Sequence, residues 1–182
     1  IAVLACGYAG SVGALKAFGA LEMGLQENEL KPLVDAWRAA NPNVVRFWWE
    51  ADKAAKTAVK QKKTVETHGI RFSCQSDMLF ITLPSGRKLS YVKPRIGENR
   101  FGSECVTYEG IGTTKKWERI ESSPGKWVEN ITQATARDIL YYALSTFRCS
   151  AVVMHIHDEV VIEADQRMSL PIVCEQMSRV PP

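Results

Sequence analysis

Apolar positions recur along this chain with two different periods, and the changes of period divide it. Between residues 27 and 40, Leu30, Leu33, Val34 and Trp37 fall on one helical face. Asn41-Pro42 ends that pattern, because a residue before proline is pushed out of the helical region. A second helix is predicted over about 43–63. Val44, Trp48, Ala51, Ala55 and Ala58 share one side at about 100° per residue, with Lys53, Lys56, Lys60 and Lys63 on the other. Residues 1 to about 20 read as helix, glycine-containing turn, helix, and no capping residue precedes the apolar opening Ile1-Ala2-Val3-Leu4-Ala5. From Ile70 the period shortens towards two, which predicts strands over 70–73, 78–83 and 88–92, with Pro84-Ser85-Gly86-Arg87 as a turn. Residues 104–108 and 116–121 add another pair. Helical spacing returns over 126–147, where Val128, Ile131, Thr135, Ile139 and Tyr142 line one side and Glu129, Gln133 and Arg137 recur every four residues on another. Finally, the β-branched runs 151–156 and 160–162 flank His157-Asp158-Glu159, which predicts a β-hairpin with all three polar residues in its tight turn.

Composition narrows the class only a little. The length of 182 residues suits one domain with a sizeable core or parts of two subdomains, and 46% hydrophobic with 24% charged residues is ordinary for a globular chain. A net charge of +3 does not by itself announce a nucleic-acid partner. The five scattered cysteines form no Cys-x-x-Cys pair, the pattern expected of reduced thiols in the cytoplasm. No apolar run reaches the roughly 18 residues of a membrane span, so a soluble, cytoplasmic protein is expected.

The candidate chemistry centres on the hairpin. Adjacent carboxylates on a rigid tip concentrate negative charge, which is costly unless a hard divalent cation or a nearby base offsets it. The lysine stripe over 43–63 reads first as a solvated face and second as a contact for a phosphate backbone, which needs cations in register but no base-specific geometry. Gly10 and Gly13 do not make a phosphate loop, since no strand precedes them and no Gly-Lys-Ser/Thr follows. Ala134 and Ala136 beside Gln133 leave room for a close-approaching partner.

Three segments in order carry a resemblance to a known family. Leu4-Ala5-Cys6-Gly7-Tyr8-Ala9-Gly10 is similar to the second half of a fingers helix with a nucleotide-binding motif. Asn130-Ile131-Thr132-Gln133-Ala134-Thr135-Ala136-Arg137-Asp138-Ile139-Leu140 is similar to a long palm helix that touches the primer–template backbone. The run from Val153 to Glu163 resembles a palm motif in which a His-Asp-Glu turn follows one strand and an apolar triplet ending in Glu follows the turn. Together they resemble the family A DNA polymerases, the DNA polymerase I type. Between about residues 64 and 126 a strand-rich passage looks more like the phage or prophage branch.

The resemblance implies an α+β fold with part of the fingers over 1–63, a β-rich insertion or connecting region over 64–125, and part of the palm with the catalytic hairpin over 126–182. It implies template-directed transfer of deoxynucleotides to a primer 3′ end with Mg²⁺, and primer–template DNA and deoxynucleoside triphosphates as partners. Asp158 would be the metal-binding catalytic carboxylate, Glu159 an auxiliary acid, and His157, Gln133 and Arg137 DNA contacts. Tyr8 would border the nascent base pair, and Leu4 would pack near the incoming sugar, where bacterial members carry an aromatic ring. Glu129 stands where those members have an amide near DNA. The family's second essential aspartate belongs to an Asp-x-Ser-x-x-Glu segment with no match here: Asp35, Asp52, Asp77, Asp138 and Asp165 all lack that spacing. The chain is therefore expected to be a piece of a larger polymerase, inactive alone. Two rival readings are a metal-dependent hydrolase using His155-x-His157-Asp158-Glu159, with His68 the only other histidine, and a non-enzymatic nucleic-acid-binding module.

Overall fold

The computed structural model describes residues 2–147 and 151–181, which form two compact units, Ile1–Ile131 and Thr132–Pro182. The first unit begins with short helices α1 (Ala2–Gly7) and α2 (Val12–Ala17), followed by α3 (Glu27–Ala40) and α4 (Pro42–Gln61). Helix α3 starts where the Glu29 carboxylate accepts the Gln26 backbone N–H at 2.7 Å. It stops at Asn41, and Pro42 opens α4 at a position where no backbone donor is needed. Ala5, Cys6, Leu15, Ala20, Leu30 and Val34 make the core of α1 to α3. Trp37 and Trp48 stack at 5.8 Å across the α3–α4 corner.

Helix α4 lies on a six-stranded antiparallel meander, β1 (Val65–Thr67), β2 (Ile70–Gln75), β3 (Met78–Thr82), β4 (Lys88–Glu98), β5 (Glu104–Ile111) and β6 (Trp117–Glu121), in sequential order. Ala51, Ala54, Ala55 and Ala58 are buried on α4, and such small side chains permit close approach to the sheet; Phe72, Leu79, Ile81 and Val106 are buried on the strands. Two hairpins close through pairs with left-handed backbone, His68-Gly69 and Ser76-Asp77, as two-residue turns require. Helix α5 (Pro124–Thr146) leaves this unit and enters the second. Its first turns carry Trp127, whose ring meets Tyr91 edge-on at 5.0 Å.

Within the second unit, the rest of α5 is followed by the hairpin β7 (Ala151–Ile156) and β8 (Glu159–Glu163) and by helix α6 (Leu170–Met177). The fold is mixed helix and sheet, as the α+β expectation has it. Several boundaries differ from those the sequence predicts. Strand β1 has no counterpart among the predicted strands, β4 continues past Val92 to Glu98, and α4 ends at Gln61, so Lys63 lies off the helix. Lys62 takes a left-handed conformation that terminates α4. Cys6, Cys74, Cys105 and Cys174 are free thiols, and Cys149 lies outside the described residues. No helix among the described residues is long and apolar enough to cross a membrane.

Candidate active site

The β7–β8 register decides what the hairpin presents. Val152 pairs with Ile162, but Met154 pairs with Val161, so Val153 is bulged out and the alternation of β7 is reset. His155 then pairs with Val160 and Ile156 with Glu159. Side chains directly opposite in an antiparallel pair share a face, so His155, Val160 and Ile162 share one side and Ile156, Glu159 and Val161 the other. Val160 and Ile162 are the half-buried positions of β8. The expectation that all three polar residues occupy the turn is therefore corrected. Only His157 and Asp158 form it, and Glu159 is already the first residue of β8. His157 holds φ at 52°, a left-handed backbone that histidine tolerates better than most residues.

Beside this tip, α5 carries Gln133 and Arg137 one turn apart. Gln133, Arg137, His155, His157 and Asp158 border a single open cleft of about 690 Å³, whose apolar lining includes Leu140, Ala143 and Met177. One guanidinium, one amide, two imidazoles and one carboxylate thus line the same cleft. Among the described residues no hydrogen bond or ion pair occupies the Asp158 carboxylate, which leaves its oxygens available to a ligand. Glu159, on the other side of the strand, does not border the cleft.

A carboxylate is the right donor for a hard cation such as Mg²⁺, which accepts one or two protein carboxylates and completes its shell with water and substrate phosphate. Asp158 fits that role as a single ligand. Among the described residues, no group of three or more His, Cys, Asp or Glu side chains is placed to hold a metal ion, so the histidines of the hydrolase reading find no third partner. The cleft thus gives that rival no support.

The nucleotide-binding candidates lie in the first unit. Leu4 is half exposed on α1. Tyr8 follows the same helix and borders a smaller cavity of about 250 Å³ with Arg38, Trp48, Trp49 and Pro124. Arg38 donates to the Gly10 carbonyl at 3.2 Å, while its Nε and the Trp48 Nε1 are buried with no partner among the described residues. Sequence reasoning misses this cavity, because its walls come from four separate segments. It also gives His155 a role only as a zinc ligand, since nothing in the sequence marks the pairing with Val160 that puts this side chain on the face of the half-buried β8 positions.

Two of the four lysines of the stripe are neutralised. Lys56 pairs at 2.6 Å with Asp52, which is buried, and Lys60 pairs at 2.6 Å with Glu104 of β5. The Lys60 ammonium holds the Glu104 carboxyl below the usual range. Lys53 remains the helical lysine of the stripe with no ion pair among the described residues. This pattern favours a partly ion-paired, solvated face, opposite the alanines that pack on the sheet, over a phosphate-binding rail.

No protein-family model matches the chain, and no solved structure matches it at a significant level. The chain is 49% identical over 167 residues, 90% of its length, to the DNA polymerase of Bacillus phage SP02. It spans 26% of the length of that relative.

Proposed function

We propose that these residues are part of a DNA-directed DNA polymerase that extends a primer 3′ end with deoxynucleotides on a template, and that they supply part of its fingers and of its palm. The observation that carries the reading is the clustering of Gln133, Arg137, His157 and Asp158 around one cleft, in a chain nearly half identical to a phage DNA polymerase. Phosphoryl transfer depends on positioning and on neutralising charge rather than on covalent chemistry by the protein. In this reading Asp158 holds one Mg²⁺, and Arg137 and Gln133 bind the primer–template backbone, the first by charge and the second by hydrogen bonding. His157 lies near the primer terminus. Tyr8 borders the nascent pair, and Leu4 packs by the incoming sugar. When bound, Mg²⁺ would activate the primer hydroxyl and offset the charge of the leaving pyrophosphate.

The test is Asp158→Ala in the full-length polymerase. Primer extension should fall by more than about a hundredfold, since a metal-held oxygen contributes several kcal/mol to the transition state. Primer–template affinity should change little, because it rests on distributed phosphate contacts. Near-normal extension by the variant would remove Asp158 from the reaction.

A further inference from the structure

The far end of the six-stranded sheet carries an aromatic side chain held in place for no packing purpose. Trp117, the first residue of β6, is 60% exposed, and so is its cross-strand neighbour Ile111 at 70%. Its indole Nε1 donates to Glu109 Oε2 at 3.2 Å. Glu109 is itself clamped, by Lys93 Nζ at 3.1 Å and by the Arg119 guanidinium at 3.1 Å. Arg119 is braced in turn: it donates at 3.2 Å both to the Lys93 carbonyl, at the bulge where β4 passes Pro94, and to Thr107 Oγ1. A chain of charge-assisted contacts across three strands therefore ends on the edge of a solvent-facing ring.

The indole has a single hydrogen-bonding atom, and it is engaged. What remains to offer a partner is the flat apolar face. Cations lie on the same face and in the adjoining turn. Lys93 and Arg119 stand in the clamp, and Lys115 and Lys116 in the adjoining β5–β6 turn are exposed with no ion pair among the described residues. Against these four stand the already paired Glu109 and, two positions beyond Arg119 on the same face of β6, Glu121, whose carboxylate accepts the Arg100 backbone N–H at 3.2 Å. The next acid along β6, Glu118, pairs opposite Gly110 and so occupies the other face of the strand.

We propose that this patch binds single-stranded DNA, with a base stacked on Trp117 and the neighbouring phosphates drawn to Lys115 and Lys116, which have no ion pair among the described residues, while Lys93 and Arg119 hold the ring in place through Glu109. A fixed aromatic platform inside a basic surface is the physical pattern for strand binding without sequence preference, since every base has a π-face. An acidic peptide would satisfy the cations but leave the ring without a partner. The inference concerns a different unit from Asp158 and rests on the polymerase reading only for the choice of DNA over RNA.

The experiment is fluorescence anisotropy of the full chain with a labelled oligothymidylate of about 15 nucleotides, a length within the range of single-strand sites. Trp117→Leu should weaken binding by about tenfold, with Trp117→Phe between it and the parent. An abasic strand of equal length should bind the parent chain about as weakly as oligothymidylate binds the leucine variant. Lys115→Gln with Lys116→Gln should flatten the dependence of log affinity on log salt by about 1.4, at about 0.7 for each phosphate no longer neutralised. Thermal melting checks that the variants remain folded. If the leucine variant melts, the comparison of oligothymidylate with the abasic strand on the parent chain still decides. Equal binding of those two strands, or unchanged binding by a folded Trp117→Leu, would overturn the proposal. Tighter binding of oligouridylate would overturn the assignment to DNA. Asp158→Ala should leave this binding unaltered, so the patch and the polymerase reading fail separately.

Discussion

Gly125 lies directly against the backbone of Tyr8. A side-chain carbon on Gly125 would come within 2.1 Å of the Tyr8 carbonyl oxygen and 3.0 Å of the Ala9 β-carbon. The first turn of α5 and the end of α1 therefore meet at backbone distance, and the position of Tyr8 is coupled to the start of α5. Gly125→Ala must push the two backbones apart, because a carbonyl cannot rotate away as a side chain can. The expected cost is about 1 to 3 kcal/mol or more, the range for overpacking a tight contact. Chemical denaturation of the chain measures it, and an unchanged midpoint would show that the contact is loose.

Tyr91 sets a second expectation, for alkaline pH. Its ring is buried between Tyr108 at 4.9 Å and Trp127 at 5.0 Å, and its hydroxyl accepts a hydrogen bond from Asn130 Nδ2 at 3.0 Å. Burial pushes the phenol up to about 12, partly opposed by the Asn130 hydrogen bond. The folded state therefore holds its proton at pH values where the unfolded chain, with an ordinary phenol near 10, has lost it. Stability from this group is complete below about pH 10 and is lost as pH rises towards about 12, by about 3 kcal/mol for a two-unit shift. Tyr108, also pushed up by burial, adds to the same trend. Denaturant titrations at pH 8 and pH 11 should show a smaller loss for Tyr91→Phe than for the parent chain. Parallel losses in both would assign the alkaline instability to other groups.

Much of this organisation can be read from periodicity, and what escapes has physical causes. Helices α3 and α4 are plain in the sequence because each has an apolar stripe and the pair shares a proline boundary at Asn41-Pro42. Strand β1 has three residues, too few to display a period, and exists because the His68-Gly69 turn folds it onto β2. The reach of β4 past Pro94 contradicts the ordinary expectation for proline in a strand. The bulge resolves it: Lys93 turns left-handed, and Arg119, from a strand distant in sequence, donates to the Lys93 carbonyl. The lysine stripe of α4 is legible as a stripe, but its neutralisation by Glu104 depends on strand packing. In the second unit Gln133, Arg137, His157 and Asp158 are all legible in the sequence as candidates, and all border one cleft. The side taken by Glu159 is not legible, since it depends on the turn being only His157 and Asp158, with Glu159 already paired to Ile156 in β8.

The hairpin tip gives the last prediction, because its backbone and its side chain can be separated. His157 adopts φ 52°, a conformation that costs a side-chain-bearing residue about 1 to 2 kcal/mol relative to the ordinary helical one. Glycine relieves that strain but adds freedom to the unfolded chain worth about 0.5 to 1 kcal/mol, so His157→Gly should change stability by less than about 1 kcal/mol. His157→Asn should be equally well tolerated, since asparagine also accepts left-handed backbone. His157→Val should destabilise the hairpin clearly, because a branched β-carbon crowds this conformation. If the polymerase proposal holds and the imidazole touches the primer terminus, the glycine and asparagine variants of that proposed polymerase should both melt normally and yet extend primers on the order of tenfold more slowly, about what one good hydrogen bond contributes. Normal extension by both would mean that position 157 serves the turn alone. Slower extension by the valine variant only would show that the shape of the tip, and not the imidazole, is what Asp158 requires.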